Sequence, residues 1–244
     1  MEIKTLVIDI ECSPNLAHVW SLFKVSVSLS QLMETGGVIC FAAKWLDEEE
    51  TVFYSDHRQG HELMVAHAFD LLEEADVVVH FNGSKFDIPH LNREFLQAGL
   101  GPPAPFQEID LLKVVKKKFN FTSNKMDHVT SELGIGEKVA HEGHGLWVKC
   151  LEGDPEAWER MEEYNRQDVL LTEELYKRVL PWIENHPHKG LYLDEEDVCP
   201  NCGGSELEKR GFSYTGVSKF QRFRCKGCGR WSRSGRRVGS VERR

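Results

Sequence analysis

Two carboxylates within an apolar strand constrain this chain more than any other sequence feature. The apolar run at residues 6–8 leads directly into Asp9-Ile10-Glu11, and the two-residue period of a strand places Asp9 and Glu11 on one face. Two such carboxylates repel each other at neutral pH. A hard divalent cation such as Mg²⁺ or Mn²⁺ removes the conflict, because it prefers carboxylate oxygens as ligands. An acidic pair at the end of a strand is nevertheless more often a solvated turn.

A third acidic residue follows the next predicted buried strand. Residues 77–79 read as that strand, and residues 80–83 lead into a helix predicted at 87–98. Asp87 therefore lies beyond the carboxyl end of a strand, where ligand-binding groups collect in open α/β sheets. A carboxylate at the amino end of a helix also suits the helix dipole without any ligand.

The strongest helix prediction carries the fourth acid. Asp154 as N-cap and Pro155 at the first helical position begin a helix that continues past Tyr176. Tyr164 and Asp168 are four residues apart and project from one face of it. A phenol there can orient an attacking water or help to deprotonate it, while Asp168 completes a metal site. A core tyrosine beside an acid is commoner in isolation, and only the ordered combination of the three elements outweighs these simpler interpretations.

This combination resembles the ribonuclease H-like 3′–5′ exonucleases with four catalytic acids, and within them the proofreading exonuclease domain of family-B DNA polymerases. The resemblance covers roughly residues 3–183, with residues 9–11, 82–87 and 164–168 matching the three motifs in order. The histidine subclass carries a histidine five residues before the last aspartate. Position 163 is glutamate, so the chain is similar to the tyrosine subclass.

The resemblance implies a two-metal hydrolysis that releases nucleoside 5′-monophosphates. Asp9, Glu11 and Asp168 would surround one catalytic Mg²⁺ or Mn²⁺, Asp9 would reach a second ion, and Asp87 would act largely through water. Tyr164 would position the attacking water. The 3′–5′ direction comes from the resemblance alone, because the same metal site would serve an endonuclease.

Two further residues of the second motif enter through the same resemblance. Asn82 and Phe86 would contact the 3′-terminal nucleotides, the phenyl ring by stacking or wedging against a base. Elsewhere, His141 and His144 lie in a glycine-spaced segment and could touch phosphate, although loop histidines are usually just solvated. The basic cluster at 113–118 could meet a nucleic-acid backbone, although a solvated helix face is the simpler interpretation.

The other elements before residue 186 predict an α/β domain. Strands are predicted at 38–45 and 51–54 around an acidic turn at 47–50, and helices at 61–74 and 125–133. The order strand, strand, strand, helix, strand, helix indicates a mixed sheet with helices packed on it. The resemblance specifies this as a ribonuclease H-like mixed β-sheet flanked by helices.

Two Cys-x-x-Cys pairs predict a second, smaller domain. Cys199 and Cys202 precede Cys225 and Cys228, with 22 residues between the pairs. Four thiolates at this spacing indicate one structural Zn²⁺ in a zinc ribbon, with no open position for catalysis. Zinc would supply much of the folding free energy of so short a segment. Disulfides are the alternative, but the other three cysteines are scattered and no signal peptide is evident at the start.

Charge divides the chain at the same place. Residues 209–244 contain 3 Lys and 9 Arg against one acid, a net +11, whereas the whole chain carries −9 and residues 1–208 therefore carry −20. We predict a nuclease-like domain at 1–185, a linker at 186–197, the zinc ribbon at 198–232 and a flexible basic tail at 233–244.

The ribbon sequence also mixes aromatic and basic residues. The aromatic residues Phe220, Phe223 and Trp231 lie among Arg222, Arg224, Arg230 and Arg233, a mixture suited to stacking on single-stranded bases.

We therefore expect a metal-dependent 3′–5′ exonuclease that acts on DNA, at single-stranded or frayed 3′ ends, with RNA as a second candidate substrate. The ribbon would grip nucleic acid or a separate polymerase or other replication or repair protein. The alternatives are an exoribonuclease or structure-selective endonuclease on the same fold, and a non-catalytic nucleic-acid-binding adaptor, against which the presence of all four acids and the tyrosine argues. No apolar run approaches the roughly 20 residues of a membrane span. Reduced thiols and Mg²⁺ chemistry suggest a cytoplasmic location.

Overall fold

The computed structural model describes residues 3–46, 48–140 and 142–242. The strands are β1 Thr5–Cys12, β2 Leu16–Ala17, β3 Leu32–Glu34, β4 Val38–Trp45, β5 Thr51–Ser55, β6 Val77–His80, β7 Gln107–Asp110, β8 Leu207–Tyr214, β9 Ser218–Cys225 and β10 Trp231–Ser240. The α-helices are α1 Asp56–Gln59, α2 His61–Glu74, α3 Asp87–Gln97, α4 Leu111–Lys118, α5 Met126–Glu132, α6 His144–Leu151, α7 Pro155–Val179 and α8 Lys189–Leu193.

Five strands form one mixed sheet in the order β5-β4-β1-β6-β7. The central strand β1 pairs antiparallel with β4 and parallel with β6, and β6 pairs parallel with β7. Together with the helices on both faces, this sheet confirms the predicted ribonuclease H-like α/β architecture. Strands β2 and β3 form a separate two-stranded arm after the carboxyl end of β1.

The sheet divides the hydrophobic core into two layers. Leu6, Ile8 and Ile10 of β1 pack with buried side chains of α2 and α3, whereas Val7 packs with those of α7. Because side chains alternate along a strand, the odd-numbered positions 9 and 11 face α7 as well. The strand period therefore directs both carboxylates of β1 toward the helix that carries the last motif.

A buried ion pair fixes α7 against the sheet. Lys44 lies opposite Val7 in the β1–β4 register and donates a 2.6 Å hydrogen bond to Glu173 of α7. Both side chains are less than a tenth exposed. Lys177, one helical turn further along α7, contacts the same carboxylate at 2.9 Å from a half-exposed position.

The zinc-ribbon segment forms a three-stranded sheet in the order β10-β9-β8. It docks onto the end of α7 through Asn201, whose side-chain amide donates to the carbonyls of Leu180 and Ile183 at 2.7 and 3.0 Å. Arg230 adds a 3.1 Å hydrogen bond to the carbonyl of Pro181. Among the described helices, none has the length and apolar character that a membrane crossing requires.

The structure differs from the sequence-based expectations at several elements. Strand β7 was not predicted, because residues 107–110 lack an apolar pattern. The segment predicted as a glycine-spaced loop contains the start of α6 at His144, and His141, like Asp47 of the predicted acidic turn, lies outside the described residues. The predicted linker contains α8. The tail predicted to be flexible from residue 233 is instead strand β10 as far as Ser240, because it pairs with β9 despite its alternating arginines and serines.

Candidate active site

Three carboxylates from two core elements converge between the sheet and α7. Asp9 and Glu11 come from β1 and Asp168 comes from α7, and each contributes an oxygen such that these oxygens lie within 4.8 Å of one another. The odd positions of β1 face α7, and Asp168 lies on the buried face of that helix at 2% exposure. The structure thus brings together three of the four acids that the sequence singled out.

The fourth acid, Asp87, lies beside this cluster. Strand β6 ends at His80, so the N–H of Ile10 in β1 extends beyond its neighbouring strand and needs another acceptor. Asp87 at the start of α3 accepts that hydrogen bond through Oδ1 at 3.2 Å and is buried. Its charge acts on Asp9 more strongly than that of any other neighbour. Asp87 is therefore adjacent to the three-carboxylate cluster and is held by the backbone of β1.

Burial and mutual repulsion disfavour ionisation of these acids. Burial, followed by the charges of Asp87, Asp168 and Glu11, raises the pKa of Asp9 well above its usual value. Burial and the charge of Asp168 raise the pKa of Glu11 to about 8. Burial raises the pKa of Asp87 to about 6, although the Ile10 N–H favours its charged form. The cluster therefore favours any species that brings positive charge, whether protons or cations.

The loop before Asp87 depends on the close approach of a glycine to a histidine. A Cβ on Gly83 would lie 2.4 Å from Cγ of His80, and the Gly83 N–H donates to His80 Nδ1 at 3.0 Å. Because Nδ1 accepts, the other ring nitrogen of this fully buried histidine carries the proton, which points at Glu108 over 3.3 Å. Asp110 fixes the other side of the loop by accepting the Asn82 N–H at 3.0 Å.

Asn82 and Phe86 lie on this loop, outside the three-carboxylate cluster. Asn82 has a left-handed backbone with φ of 72°, a conformation that asparagine tolerates better than most residues. Phe86 is 39% exposed, and its ring centroid lies 4.5 Å from that of His90. An exposed ring on the residue next to Asp87 is compatible with base stacking, and contact of both residues with the 3′ end stays a prediction.

Tyr164 lies one helical turn before Asp168 and is 8% exposed. Burial and the nearby charges of Asp168, Glu11 and Asp9 raise the pKa of its hydroxyl above the usual value. A phenol with a raised pKa stays protonated at neutral pH and donates a hydrogen bond. Whether Tyr164 orients the attacking water or helps to deprotonate it stays a prediction.

Three residues that were not predicted from the sequence complete the site. Asn165, fully buried on α7, donates from Nδ2 to Asp9 Oδ2 at 2.7 Å and to the Asp9 carbonyl at 3.2 Å. The Lys138 ammonium forms an ion pair with Asp168 and donates to the Tyr164 hydroxyl at 3.2 Å. The Trp147 side chain forms a hydrogen bond that lowers the pKa of Glu11. Asn165 follows the motif tyrosine directly, but no sequence signal marked Lys138 or Trp147.

The carboxylate cluster fits a divalent cation. All its ligand atoms are carboxylate oxygens, the donors that Mg²⁺ and Mn²⁺ prefer. The cluster already attracts one cation from the chain itself, the ammonium of Lys138. Because bound cations displace protons from carboxylates, the raised pKa values of Asp9 and Glu11 describe acids that gain from cation binding. Asp9, Glu11 and Asp168 are the residues that would hold such an ion.

The four cysteines of the ribbon converge in the same way. Their sulfurs lie within 4.8 Å of one another, and the pairs Cys199–Cys228 and Cys202–Cys225 are each 3.6 Å apart. Four sulfurs about 2.3 Å from a tetrahedral zinc ion are separated by about 3.8 Å. Burial opposes ionisation of Cys225, but hydrogen bonds from Cys228, Cys202 and Gly227 lower its pKa. The geometry fits one structural zinc ion, and all four thiols are free of disulfides.

The chain belongs to the ribonuclease H superfamily, because the family model RNase_H_2, described as the RNase_H superfamily, matches residues 30–180, more than half of the sequence. The match begins after β1, so Asp9 and Glu11 precede it. The fold is similar to part of the family B DNA polymerase from the hyperthermophilic archaeon Pyrobaculum calidifontis, with a TM-score of 0.56 and 17% sequence identity. The similarity covers 89% of this chain and 32% of that chain, so the protein spans about a third of the polymerase's length. No curated protein matches the sequence.

Proposed function

We propose that this protein is a metal-dependent 3′–5′ exonuclease that hydrolyses DNA at single-stranded or frayed 3′ ends. The main support for the proposal is the cluster of Asp9, Glu11 and Asp168, whose carboxylate oxygens lie within 4.8 Å of one another beside a ribonuclease H-like sheet. Asp87 lies next to this cluster. Such a carboxylate cluster is costly to assemble unless cations offset its charge. Membership of the ribonuclease H superfamily supports nuclease chemistry, and the likeness to a DNA polymerase chain supports DNA as substrate.

Each residue of the site would have its own role in hydrolysis. Divalent cations, when bound, would place positive charge against the scissile phosphate and make water more acidic. Asn165 holds the Asp9 carboxylate in position through its 2.7 Å hydrogen bond, and the Ile10 N–H does the same for Asp87. The protonated Tyr164 hydroxyl would orient the attacking water. Phe86 would stack on a terminal base, which requires that base to be unpaired.

A cleavage assay on labelled strands tests this proposal. Single-stranded DNA and RNA of one sequence, each labelled at the 5′ end, would be incubated with the purified protein and Mn²⁺ or Mg²⁺. Asp9→Asn removes a cluster carboxylate, and Asp70→Asn removes an exposed carboxylate from α2, on the other side of the sheet. We expect a DNA ladder that shortens from the 3′ end, at a rate unchanged in Asp70→Asn and lowered more than about a hundredfold in Asp9→Asn.

Each alternative function gives a different result in the same assay. Internal fragments without a ladder would indicate an endonuclease, and a ladder on RNA alone would indicate an exoribonuclease. Binding without cleavage under every metal condition would contradict the proposal and favour the nucleic-acid-binding adaptor. The zinc ribbon offers no open coordination position and has no catalytic role in any of these outcomes.

A further inference from the structure

The strand register separates the basic and aromatic residues of the ribbon onto two faces. Residues directly opposite each other in a sheet share a face, so the pairs Trp231–Arg224, Arg233–Arg222 and Arg237–Phe220 lie together. We call this side the arginine face; its cationic and aromatic side chains are Phe220, Arg222, Arg224, Trp231, Arg233 and Arg237, and Glu208, opposite Arg224, lies on the same side. The other side, the lysine face, consists of Lys209, Phe212, Lys219, Gln221 and Phe223. The sequence pattern placed Phe223 among the arginines, but the register places it on the lysine face.

Guanidinium groups stack on both aromatic rings of the arginine face. Cζ of Arg222 lies 4.7 Å from the ring centroid of Trp231, and Cζ of Arg233 lies 4.2 Å from that of Phe220. A hydrogen bond from Arg222 Nε to the Arg210 carbonyl at 3.0 Å also holds the Arg222 guanidinium in place. A planar guanidinium stacked on a ring keeps its donor edge available, and that edge matches the oxygens of a phosphate.

The charge of the arginine face is uncompensated and exposed. Its four arginines are exposed, and Trp231 is 46% exposed. In the described part of the chain none of these four arginines forms an ion pair, because Glu208, which lies opposite Arg224, pairs with Arg210 at 3.0 Å instead. By contrast, Lys117 and Lys118 of the earlier basic cluster both pair with Glu184. The arginine face is thus a surface with four free positive charges beside two partly accessible rings.

We propose that the arginine face binds single-stranded nucleic acid as a second site, separate from the carboxylate cluster. Free guanidinium groups gain affinity for phosphates by releasing counterions, and aromatic rings stack on bases of any sequence. Single strands fit better than duplexes, because a duplex hides the base faces that Trp231 and Phe220 would contact. An acidic protein would satisfy the arginines but would leave the rings without a matching partner. Cleavage is not required for this binding, so the inference stands apart from the proposed nuclease activity.

The test compares matched substitutions on the two faces of the full-length, zinc-loaded protein. Fluorescence anisotropy would measure binding to a labelled dT oligonucleotide of about 16 nucleotides, the upper site size of small single-strand-binding modules, without added Mg²⁺ or Mn²⁺. The double variant Arg222→Gln with Arg233→Gln removes two charges from the arginine face. The double variant Lys209→Gln with Lys219→Gln removes two charges from the lysine face. Circular dichroism and zinc content would verify that each variant folds.

We expect the arginine-face pair to raise the Kd about tenfold or more and to reduce the slope of log K against log salt by about 1.4, which is about 0.7 for each lost phosphate contact. The lysine-face pair should change the Kd less than about twofold, although it removes the same net charge. Trp231→Ala should raise the Kd for dT about fivefold or more and leave duplex binding unchanged. Phe212→Ala, its counterpart on the lysine face, should leave both unchanged.

Equal effects of the two double variants, or no effect of either, would overturn the inference. Unchanged oligonucleotide binding would favour an acidic protein as the occupant of this face.

Failure of this binding site can be distinguished from failure of the proposed exonuclease activity. Intact face-dependent binding without any metal-dependent cleavage would refute the exonuclease and leave this site standing. Normal 3′–5′ cleavage with face-independent binding would do the reverse.

Discussion

Removal of Glu173 should destabilise the protein strongly, because it leaves a buried lysine without its partner. Lys44 and Glu173 are 7% and 4% exposed and lie 2.6 Å apart. Their attraction is about 6 kcal/mol at an effective dielectric constant of about 20, and most of it offsets the desolvation of the two groups. Deletion of one partner removes the attraction and keeps the desolvation of the other. We therefore expect Glu173→Ala to lower the free energy of unfolding by about 3–5 kcal/mol.

Two further variants make this prediction specific. Lys44→Met combined with Glu173→Leu replaces both charges by apolar groups of similar volume and should recover most of the lost stability. Lys177→Ala removes the other cation that contacts Glu173, from a 44% exposed position, and should cost less than about 1 kcal/mol.

Urea unfolding at pH 7 measures all of these variants by the shift of the midpoint at a constant m-value. A loss below about 1 kcal/mol in Glu173→Ala would mean that Lys44 does not depend on this carboxylate for its buried charge. So would a double variant less stable than Glu173→Ala, since the cost would then not arise from an unpaired charge. This pair joins β4 of the sheet to α7, the helix that bears Asp168.

Three further predictions concern other parts of the molecule. Gly83→Ala should destabilise the protein by about 1–3 kcal/mol in the same assay, because the new Cβ meets the ring of His80 at 2.4 Å. As the control, Gly101→Ala should change the stability by less than about 0.5 kcal/mol, because a Cβ on Gly101 meets no atom within 4 Å. Burial lowers the pKa of His186, which forms a 2.8 Å hydrogen bond with Tyr176, to about 4. The contribution of neutral His186 to the free energy of unfolding is complete above the unfolded pKa of about 6.5 and should fall by up to about 3 kcal/mol as the pH drops toward 4. Unfolding measured against pH should show this loss in the unmodified protein and not in His186→Gln. Zinc removal should expose the amides of β8, β9 and β10 to hydrogen exchange, and persistent protection there would contradict a folding role for zinc.

Local patterns predicted the parts of the site that depend on one element. The strand period placed Asp9 and Glu11 on one face, and helical spacing placed Tyr164 and Asp168 on another, so the sequence indicated three of the carboxylates that meet in space. The cysteine spacing likewise predicted the cluster of four sulfurs. The placements of the carboxylates follow from periodicities of 2.0 and 3.6 residues, and the sulfur cluster follows from the ligand spacing of zinc sites. Neither needs knowledge of tertiary contacts.

Contacts between distant segments were not predictable in the same way. Lys138 meets Asp168 across 30 residues, from a segment without regular structure, and no spacing rule connects the two. Strand β7 has no apolar signature and exists because it pairs with β6. In the ribbon, the irregular register between Arg233 and Arg237 determines which arginines share a face, and such irregularities are not visible in the sequence.

Direct binding of Mn²⁺ to the nucleic-acid-free, zinc-loaded protein tests the central claim that the carboxylate cluster holds a divalent cation. Titration calorimetry at pH 8 would compare the unmodified protein with Asp168→Asn and with the charge-matched surface variant Asp70→Asn. We expect Asp70→Asn to bind Mn²⁺ like the unmodified protein and Asp168→Asn to bind it more than about tenfold more weakly. Equal Mn²⁺ affinity in all three proteins, or no binding by the unmodified protein, would mean that the carboxylate cluster does not hold the cation.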